Sequence, residues 1–517
     1  MPLRLRSVVS LAGLLAVLLS AGCIRKQFFQ PDARADASSP LPPTADSVRN
    51  ATAGRQYARH GRLYEALVGR HHRASWAAPV AAPVLRLAQV GPGGVRPGKI
   101  GGGFNSTSLT LNAADNQAYV VRTVDKDPVR AMPEWLRGTF LVNVLRDNIS
   151  STNPYAALVV PPLAQAVGVA HSSPHLFYVR ADDPAFQSDS LRHFKGQLAL
   201  LEEKAAPPGG PVGDQTKILN SKAAFKSVFE SPQARLDQPA LLRARLLDGW
   251  LGDWDRHPGQ WNWAASPPNA AGYSAITPLP KDRDMVFYRL DDGVLGWVIS
   301  TFVLPHWATF GPRYKKPTRL LGSGEYVDER GLNALSKTEF RAAAVAMQQR
   351  LPDTLLTRAV RALPPAVLAL EGPRLIAALQ ARREALPQLA ETLYRKLAKR
   401  PIVGGTGQAE RFDIHRYRDS TIVAVYATQP APGTPATPVY RRAFFAPETR
   451  VIQLEGLAGD DVFSIEEHAP GASHRPRIRI YGGPGTDELR STQLGAGIQF
   501  VQGSAPEKAA YDRLPEE

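Results

Sequence analysis

Residues 252–263, GDWDRHPGQWNW, set Asp253, Asp255 and His257 at alternate positions among three tryptophans. Such a stretch can be a solvated turn held by aromatic packing, a metal site or the catalytic loop of a phosphotransferase. Immediately upstream, PALLRARLLDGWL places Leu242, Leu246 and Trp250 on one helical face, with Leu247 and Leu251 alongside. Gly252 stops that helix, so the quoted residues form the loop at its C-terminal end. Trp250, Trp254, Trp261 and Trp263 read as packing. The motifs GxxxxGK[ST], HExxH and GxSxG are absent from the sequence, which removes the grounds for a Walker NTPase, a zincin or an α/β-hydrolase. GDWDR is one residue short of the GDxxDR block of metallophosphoesterases, and no GNH[DE] block follows.

What remains is a D-x-H-x-x-[N/Q] arrangement, Asp255 to Gln260, followed downstream by PKDRDMVF with Asp282 and Asp284. Phosphoryl transfer needs a carboxylate to position the acceptor hydroxyl and further oxygen ligands to hold magnesium across nucleotide phosphates. Asp255 takes the first role, with His257 beside it as a candidate catalytic group that equally well braces the loop. Asp284, Asp282 and Gln260 are the candidate metal ligands, for Mg²⁺ or Mn²⁺ with ATP. Asp253 helps hold the loop.

Far upstream, GPGGVRPGKIGGG runs into two predicted strands, Ser108 to Asn112 and Ala118 to Val124, with Asp115-Asn116 as their turn. Backbone amides at Gly101, Gly102 and Gly103 can cover phosphates. The second strand reads YVVR, so Arg122 supplies the phosphate-facing cation, with Lys126 as the nearby alternative. Asp147 and Glu134 are available as its acidic partner.

DRHxxQ resembles the DRHxxN loop of phosphatidylinositol kinases, HipA-like kinases and secretory Golgi protein kinases, and DRDMVF resembles the DxDxxF metal block of spore-coat CotH kinases. RHHRASW, KIGGGFNSTSL, AYVVRTVDKDP, NPYAALVVPPLA, LLDGWLGDWDRHPGQWNW, PLPKDRDMVF and EGLAGDDVF together resemble a group of Bacteroidetes cell-envelope proteins. In some of these the region is joined to a metallophosphoesterase domain, a BamA/TamA-type barrel, or both. The resemblance spans roughly residues 55 to 490. It implies a kinase-like region and a β part, without the phosphoesterase motifs or the barrel. Arginine at 122 and glutamine at 260 depart from the usual lysine and asparagine.

The first residues, MPLRLRSVVSLAGLLAVLLSAGC, carry Arg4 and Arg6, an apolar run from Val8 to Leu19 and small residues before the only cysteine, Cys23. The run is too short to span a bilayer as a permanent helix and reads as an export signal. Leu19-Ser20-Ala21-Gly22-Cys23 resembles a bacterial lipobox, which implies lipidation of Cys23, and Ile24 implies the outer membrane. A single cysteine allows no internal disulfide, so the core must hold the fold. The formal net charge is +15, yet lysine and arginine are spread along the whole chain without the dense clusters of a nucleic-acid arm. Membrane contact through Cys23, and an envelope protein or a phosphorylated ligand, are the expected partners; nucleic acid is not.

The expected organisation is a signal peptide over 1–23, a tether over 24–50, a glycine-loop N-lobe over 51–205 and a helical C-lobe over 206–400. A β-rich domain over 405–505 follows, marked by the short runs TIVAVYA, PVYRRAFF, TRVIQLEGL, DVFSI and RIRIYGG. A helical stretch is expected over 134–170, strands in PHLFYVR and GQLALLEE, and helices through 335–400. GLAGDDVF and YGGPGTDEL each look like half of a GGxGxDxU calcium repeat, but they lie about 25 residues apart rather than in tandem. They read as glycine turns between stacked strands, and calcium is not expected there.

The fold class is therefore α+β: an atypical protein-kinase-like bilobal fold with a small C-terminal all-β domain. The expected function is an outer-membrane lipoprotein with a metal- and nucleotide-dependent phosphotransferase or nucleotidyl-transfer site. The periplasm holds no standing ATP pool, which favours the alternative of a pseudokinase-like scaffold or binding lipoprotein in envelope assembly.

Overall fold

The computed structural model describes residues 27–36, 47–58, 60–101, 108–113, 118–139, 141–203, 216–304, 306–307, 309–428, 437–472, 474–491 and 496–515. Cys23, Gly102, Gly103 and the Asp115-Asn116 turn lie outside them. The chain is a mixture of helix and sheet. No described helix is long and apolar enough to cross a membrane.

Residues 27–36, expected in the tether, are partly packed instead. Phe28 and Ala33 are buried, the Gln30 amide donates to the carbonyls of Thr52 and Ala53, and Arg34 bridges to Ala51. Residues 48–50, also assigned to the tether, belong to β1 (Val48–Ala51), which pairs antiparallel with β2 (Val80–Pro83). The pattern read as polar and proline-bearing hid two phenylalanines and a strand.

The next five strands, β3 (Val95–Gly101), β4 (Ser108–Ala113), β5 (Ala118–Thr123), β6 (His175–Tyr178) and β7 (Leu198–Glu203), form an antiparallel sheet ordered β3-β4-β5-β7-β6. Strand alternation decides its faces: Tyr119, Val121 and Thr123 are buried, while Val120 and Arg122 lie on the other side. Gly101 ends β3 and pairs with Ser108, so the glycine stretch joins two paired strands rather than preceding a lone hairpin. The helical stretch expected over 134–170 is broken into Leu141–Asp147, Val160–Ala166 and several 3₁₀ turns. Pro154 and the Pro161-Pro162 pair remove donors that a continuous helix would need.

A second sheet contains β8 (Lys217–Asn220), β9 (Ala234–Leu236), β10 (Trp261–Ala265) and β11 (Ser274–Pro280) in the order β8-β10-β11-β9. Between its strands run helices α1 (Ser221–Glu230) and α2 (Gln238–Leu251). Asp237 caps α2 by accepting from the Ala240 N–H, and Gly252 ends it in the left-handed region at φ 76°. A side chain there would be strained and would press on Phe310. Helix α2 is buried on nearly all sides, as befits a central helix. Two charges are buried within it, Arg245 and Asp248, paired at 2.9 Å, and Arg245 also meets Asp328 at 2.6 Å. Against α2 pack α3 (Lys337–Gln349), α5 (Pro365–Glu384) and α6 (Leu386–Ala398), while α4 (Asp353–Val360) packs on α5. From α5, Arg382 donates to the Trp250 carbonyl and so satisfies the C-terminal end of α2.

Beyond residue 400 the chain turns to strands: β12 (Ile402–Gly404), β13 (Glu410–Arg416), β14 (Ser420–Ala427), β15 (Tyr440–Phe445), β16 (Val451–Glu455), β17 (Val462–Glu467), β18 (Arg477–Tyr481), β19 (Glu488–Ser491) and β20 (Ile498–Val501). One sheet, β12-β16-β18-β20, is parallel throughout. The other is ordered β15-β14-β13-β17-β19, and its last three strands are parallel. Phe412, Ile414, Ile452, Leu454, Phe463 and Ile478 fill the space between them. From β16 onward successive strands alternate between the two sheets, and β18, β19 and β20 each lie parallel to the strand two before, so the chain winds in coils.

Turns one coil apart stack. The Asp461 N–H donates to Asp487, 26 residues on, and the Glu410 N–H donates to Asp461 at 2.7 Å. GLAGDDVF and YGGPGTDEL are thus glycine turns between stacked strands. Each carboxylate lies under the glycine that opens its turn, where a side chain at Gly405, Gly456 or Gly482 would collide with it. Burial pushes Glu410 and Asp461 each up to about 7, and Asp487 upward as well.

Candidate functional site

Strands β10 and β11 are antiparallel, with Trp261 opposite Pro280. Their open end therefore brings the loop after α2 beside the residues after β11, and the Lys281 N–H donates to the Gln260 carbonyl at 2.9 Å. Arg256, fully buried, ties the two segments together by donating to the carbonyls of Lys281 and Asp282, each at 2.6 Å. It also stacks over Trp261, so the aromatic residues around the loop fix its arginine. Trp250, Trp261 and Trp263 are fully buried, and Trp254 packs against Tyr288 and Trp307.

Asp282 and Asp284 face the first sheet. Arg122 from β5 forms ion pairs with Asp282 at 3.0 Å and with Glu202 of β7 at 2.7 Å, while Lys126 pairs with Asp284. The acidic partner of the strand cation is thus Glu202, not Asp147 or Glu134. Asp147 is committed to buried Arg73, and exposed Glu134 pairs with Arg137. Glu202 reaches the cation because Arg122 lies opposite Leu200 and Glu202 follows on the same face.

Asp255 accepts from the Gln260 amide at 3.4 Å and lies 3.8 Å from the His257 ring. Burial pushes its carboxyl up, and the charges of Asp284 and Asp282 raise it further, to about 6. Asp282 behaves differently: burial pulls it up, but Arg122, Lys126 and Arg256 overcome this and hold it at about 2. Asp253 holds the loop, facing Arg283 at 3.1 Å and Arg256 at 3.5 Å. Burial pushes Asp253 up to about 7 against the pull of those two arginines. His257 caps the short 3₁₀ turn Pro258–Gln260, its Nδ1 accepting from the Gly259 N–H at 3.1 Å. Its Nδ1 is thus engaged in bracing the loop, while Nε2 faces Asp255 and half of the ring is in solvent.

The cleft between these groups has a volume of about 60 Å³ and is lined by Arg122, Lys126, Asn153, Glu202, Asp282 and Asp284, among others; Asp255 and Gln260 are not among the lining residues. Arg122, Lys126 and Arg256 here face four carboxylates, Glu202, Asp255, Asp282 and Asp284. These oxygen donors, with a side-chain amide at hand, are of the kind that Mg²⁺ or Mn²⁺ takes. Gly101, at the exposed end of β3, belongs to the same sheet as Arg122. Arg256 and Arg283 are functional supports that the sequence did not single out.

No family model matches this chain, and no curated protein matches it. Among solved structures, it is similar to the Helicobacter pylori proinflammatory kinase CtkA, with a TM-score of 0.33 and 13% identity, over 58% of this chain and 95% of that one. It is similar also to the Shewanella oneidensis toxin–antitoxin protein HipA, in its complex with HipB and operator DNA, with a TM-score of 0.31 and 13% identity, covering 60% and 76% of the two chains. A Golgi casein kinase matches with a TM-score of 0.25 and 11% identity, covering 58% and 72%.

Proposed function

We propose that this chain is a kinase-like phosphotransferase of the cell envelope, bilobal with a C-terminal β domain and held at the outer membrane through lipidated Cys23. The observation that carries this reading is the meeting of Arg122 and Lys126 with Asp282 and Asp284, beside Asp255 and Gln260. The residues stand in the order found in kinases: a glycine hairpin, a cation on the third strand of the sheet, a catalytic-loop carboxylate and a later acidic block.

Bound Mg²⁺ or Mn²⁺ with ATP would supply the transferable phosphoryl group and neutralise its charge. Asp284, Asp282 and Gln260 would hold the metal. Arg122, Lys126 and the backbone near Gly101 would face the phosphates. Asp255, near pH 7 mostly ionised yet raised to about 6, positions an acceptor hydroxyl and takes its proton.

A second reading, a pseudokinase-like scaffold, is favoured by the closure of the cleft. A pocket for a nucleotide-sized ligand takes roughly 300–1,000 Å³, against about 60 Å³ here. Nucleotide entry must open the Arg122–Asp282 and Lys126–Asp284 pairs. Thermal unfolding of the full chain with and without ATP plus Mg²⁺ or Mn²⁺, beside Asp284→Ala, separates the two. A ligand at a hundred times its Kd adds roughly 2.7 kcal/mol. A metal-dependent shift lost in the variant supports the transferase, and no shift with any nucleotide supports the scaffold.

A further inference from the structure

The outer face of the β region carries a cluster that the cleft does not use. His415 on β13 and Glu466 on β17 stand directly opposite each other in parallel strands, and both project away from the packed interior. His468 follows just after β17, its backbone N–H held at 2.9 Å by the Arg416 carbonyl. His415 Nδ1 lies 3.0 Å from Glu466 Oε2 and 3.2 Å from His468 Nε2, and His468 Nε2 lies 3.5 Å from Glu466 Oε2.

Three donor atoms at these mutual distances fit one face of a tetrahedron. Zinc bonds of about 2.0–2.2 Å to imidazole nitrogen and carboxylate oxygen put neighbouring ligand atoms roughly 3.3–3.5 Å apart. Two imidazoles exclude a preference for calcium or magnesium and select a first-row ion of the zinc class. We propose that His415, Glu466 and His468 form a Zn²⁺-class site with a fourth position open to water.

The surroundings hold the ligands in place. Tyr417 stacks on His468 with ring centroids 4.7 Å apart and planes 10° from parallel. Beneath the cluster, Arg416 pairs with Glu467 at 2.7 Å and Arg475 pairs with the same carboxylate at 2.6 Å, fixing the strand ends that carry the ligands. The three side chains are 33%, 60% and 40% exposed, so an ion reaches them from solvent without any opening of the fold. Among the described residues this is the one group of three or more histidine, cysteine or acidic side chains with converging ligand atoms. It is independent of the phosphotransferase reading.

The test is titration of the EDTA-treated full chain with Zn²⁺ by calorimetry and with Co²⁺ by visible absorption, beside His415→Ala, His468→Ala and a His171→Ala/His175→Ala control. The expected result is one equivalent bound more tightly than about 100 µM. Each ligand histidine variant should weaken it by at least the roughly 10- to 100-fold that loss of a supporting partner costs, while the control leaves it unchanged. Co²⁺ should give the intense visible bands of a four- or five-coordinate ion, weakened by Glu466→Gln, a substitution that keeps the side-chain shape. Absence of such binding, equal affinity in the histidine variants, or a weak six-coordinate Co²⁺ spectrum overturns the proposal.

Discussion

In the cleft, burial alone would push Asp282 up, yet Arg122, Lys126 and Arg256 hold it at about 2. In the stacked coil turns, Glu410 and Asp461 are buried too, have backbone N–H and hydroxyl donors but no paired cation, and rise to about 7. The contrast shows that burial does not decide the state of a carboxylate; the sign of its nearest charges does. Asp255 makes the same point beside the cleft, because its neighbours Asp284 and Asp282 raise it. The cleft is therefore an assembly of charges poised against one another, whereas the turns keep protonatable carboxyls inside a scaffold.

Two substitutions break the cleft side of that contrast. Asp255→Asn keeps the side-chain shape and removes the proton acceptor, so phosphoryl transfer, followed with radiolabelled ATP, should fall about 10²- to 10⁴-fold while the unfolding midpoint holds. Arg122→Gln leaves Asp282 and Glu202 without their shared cation. Removing one partner of a buried pair costs about 3–5 kcal/mol, and denaturant unfolding should lose stability on that scale. Glu202→Gln added to Arg122→Gln should recover part of it, since one stranded charge is removed.

The loop and the acidic block were readable in the sequence because their chemistry is local. Asp255, Gln260, Asp282 and Asp284 declare themselves by residue type and order, and the helix before them by its leucine periodicity. Glu202 was hidden because its role depends on the register of β7 against β5, a contact between distant segments. Residues 28–34 were misread because two phenylalanines in a polar stretch pack only where the rest of the chain supplies a surface. The two glycine–aspartate turns looked too far apart to cooperate. Their 26-residue separation is the length of one coil, so the fold makes neighbours of them. The zinc-class cluster has no sequence signature at all, because His415 and Glu466 meet only through parallel pairing.

The smaller effects sharpen the comparison. Glu410 and Asp461 have folded pKa values raised to about 7 from 4.5 and 3.8, so their stabilising share is full at low pH and is lost as pH rises through 7. Asp282 has the opposite sign: its share is present above pH 4 and is lost as pH falls through about 2. Asp461→Asn should accordingly flatten the decline in unfolding midpoint between pH 5 and 8, while Arg122→Gln leaves that slope unchanged. The mechanism is specific, because Asp461 Oδ2 is buried without a hydrogen-bond partner and crowds the same space beside Gly456 as the Gly482 carbonyl. An asparagine N–H there can donate to that carbonyl, which should add about 1 kcal/mol at pH 8.

The least effect belongs to His257. Its ring accepts from the Gly259 N–H and stands half in solvent, so His257→Ala should cost about 1 kcal/mol, the scale of a lost cap. Transfer activity should drop only a few-fold, because Asp255 keeps the Gln260 amide and its like-charged neighbours. A rate loss as large as that of Asp255→Asn, at unchanged stability, would instead make the imidazole a participant in proton transfer, and the 3.8 Å gap to Asp255 would have to close in the working state.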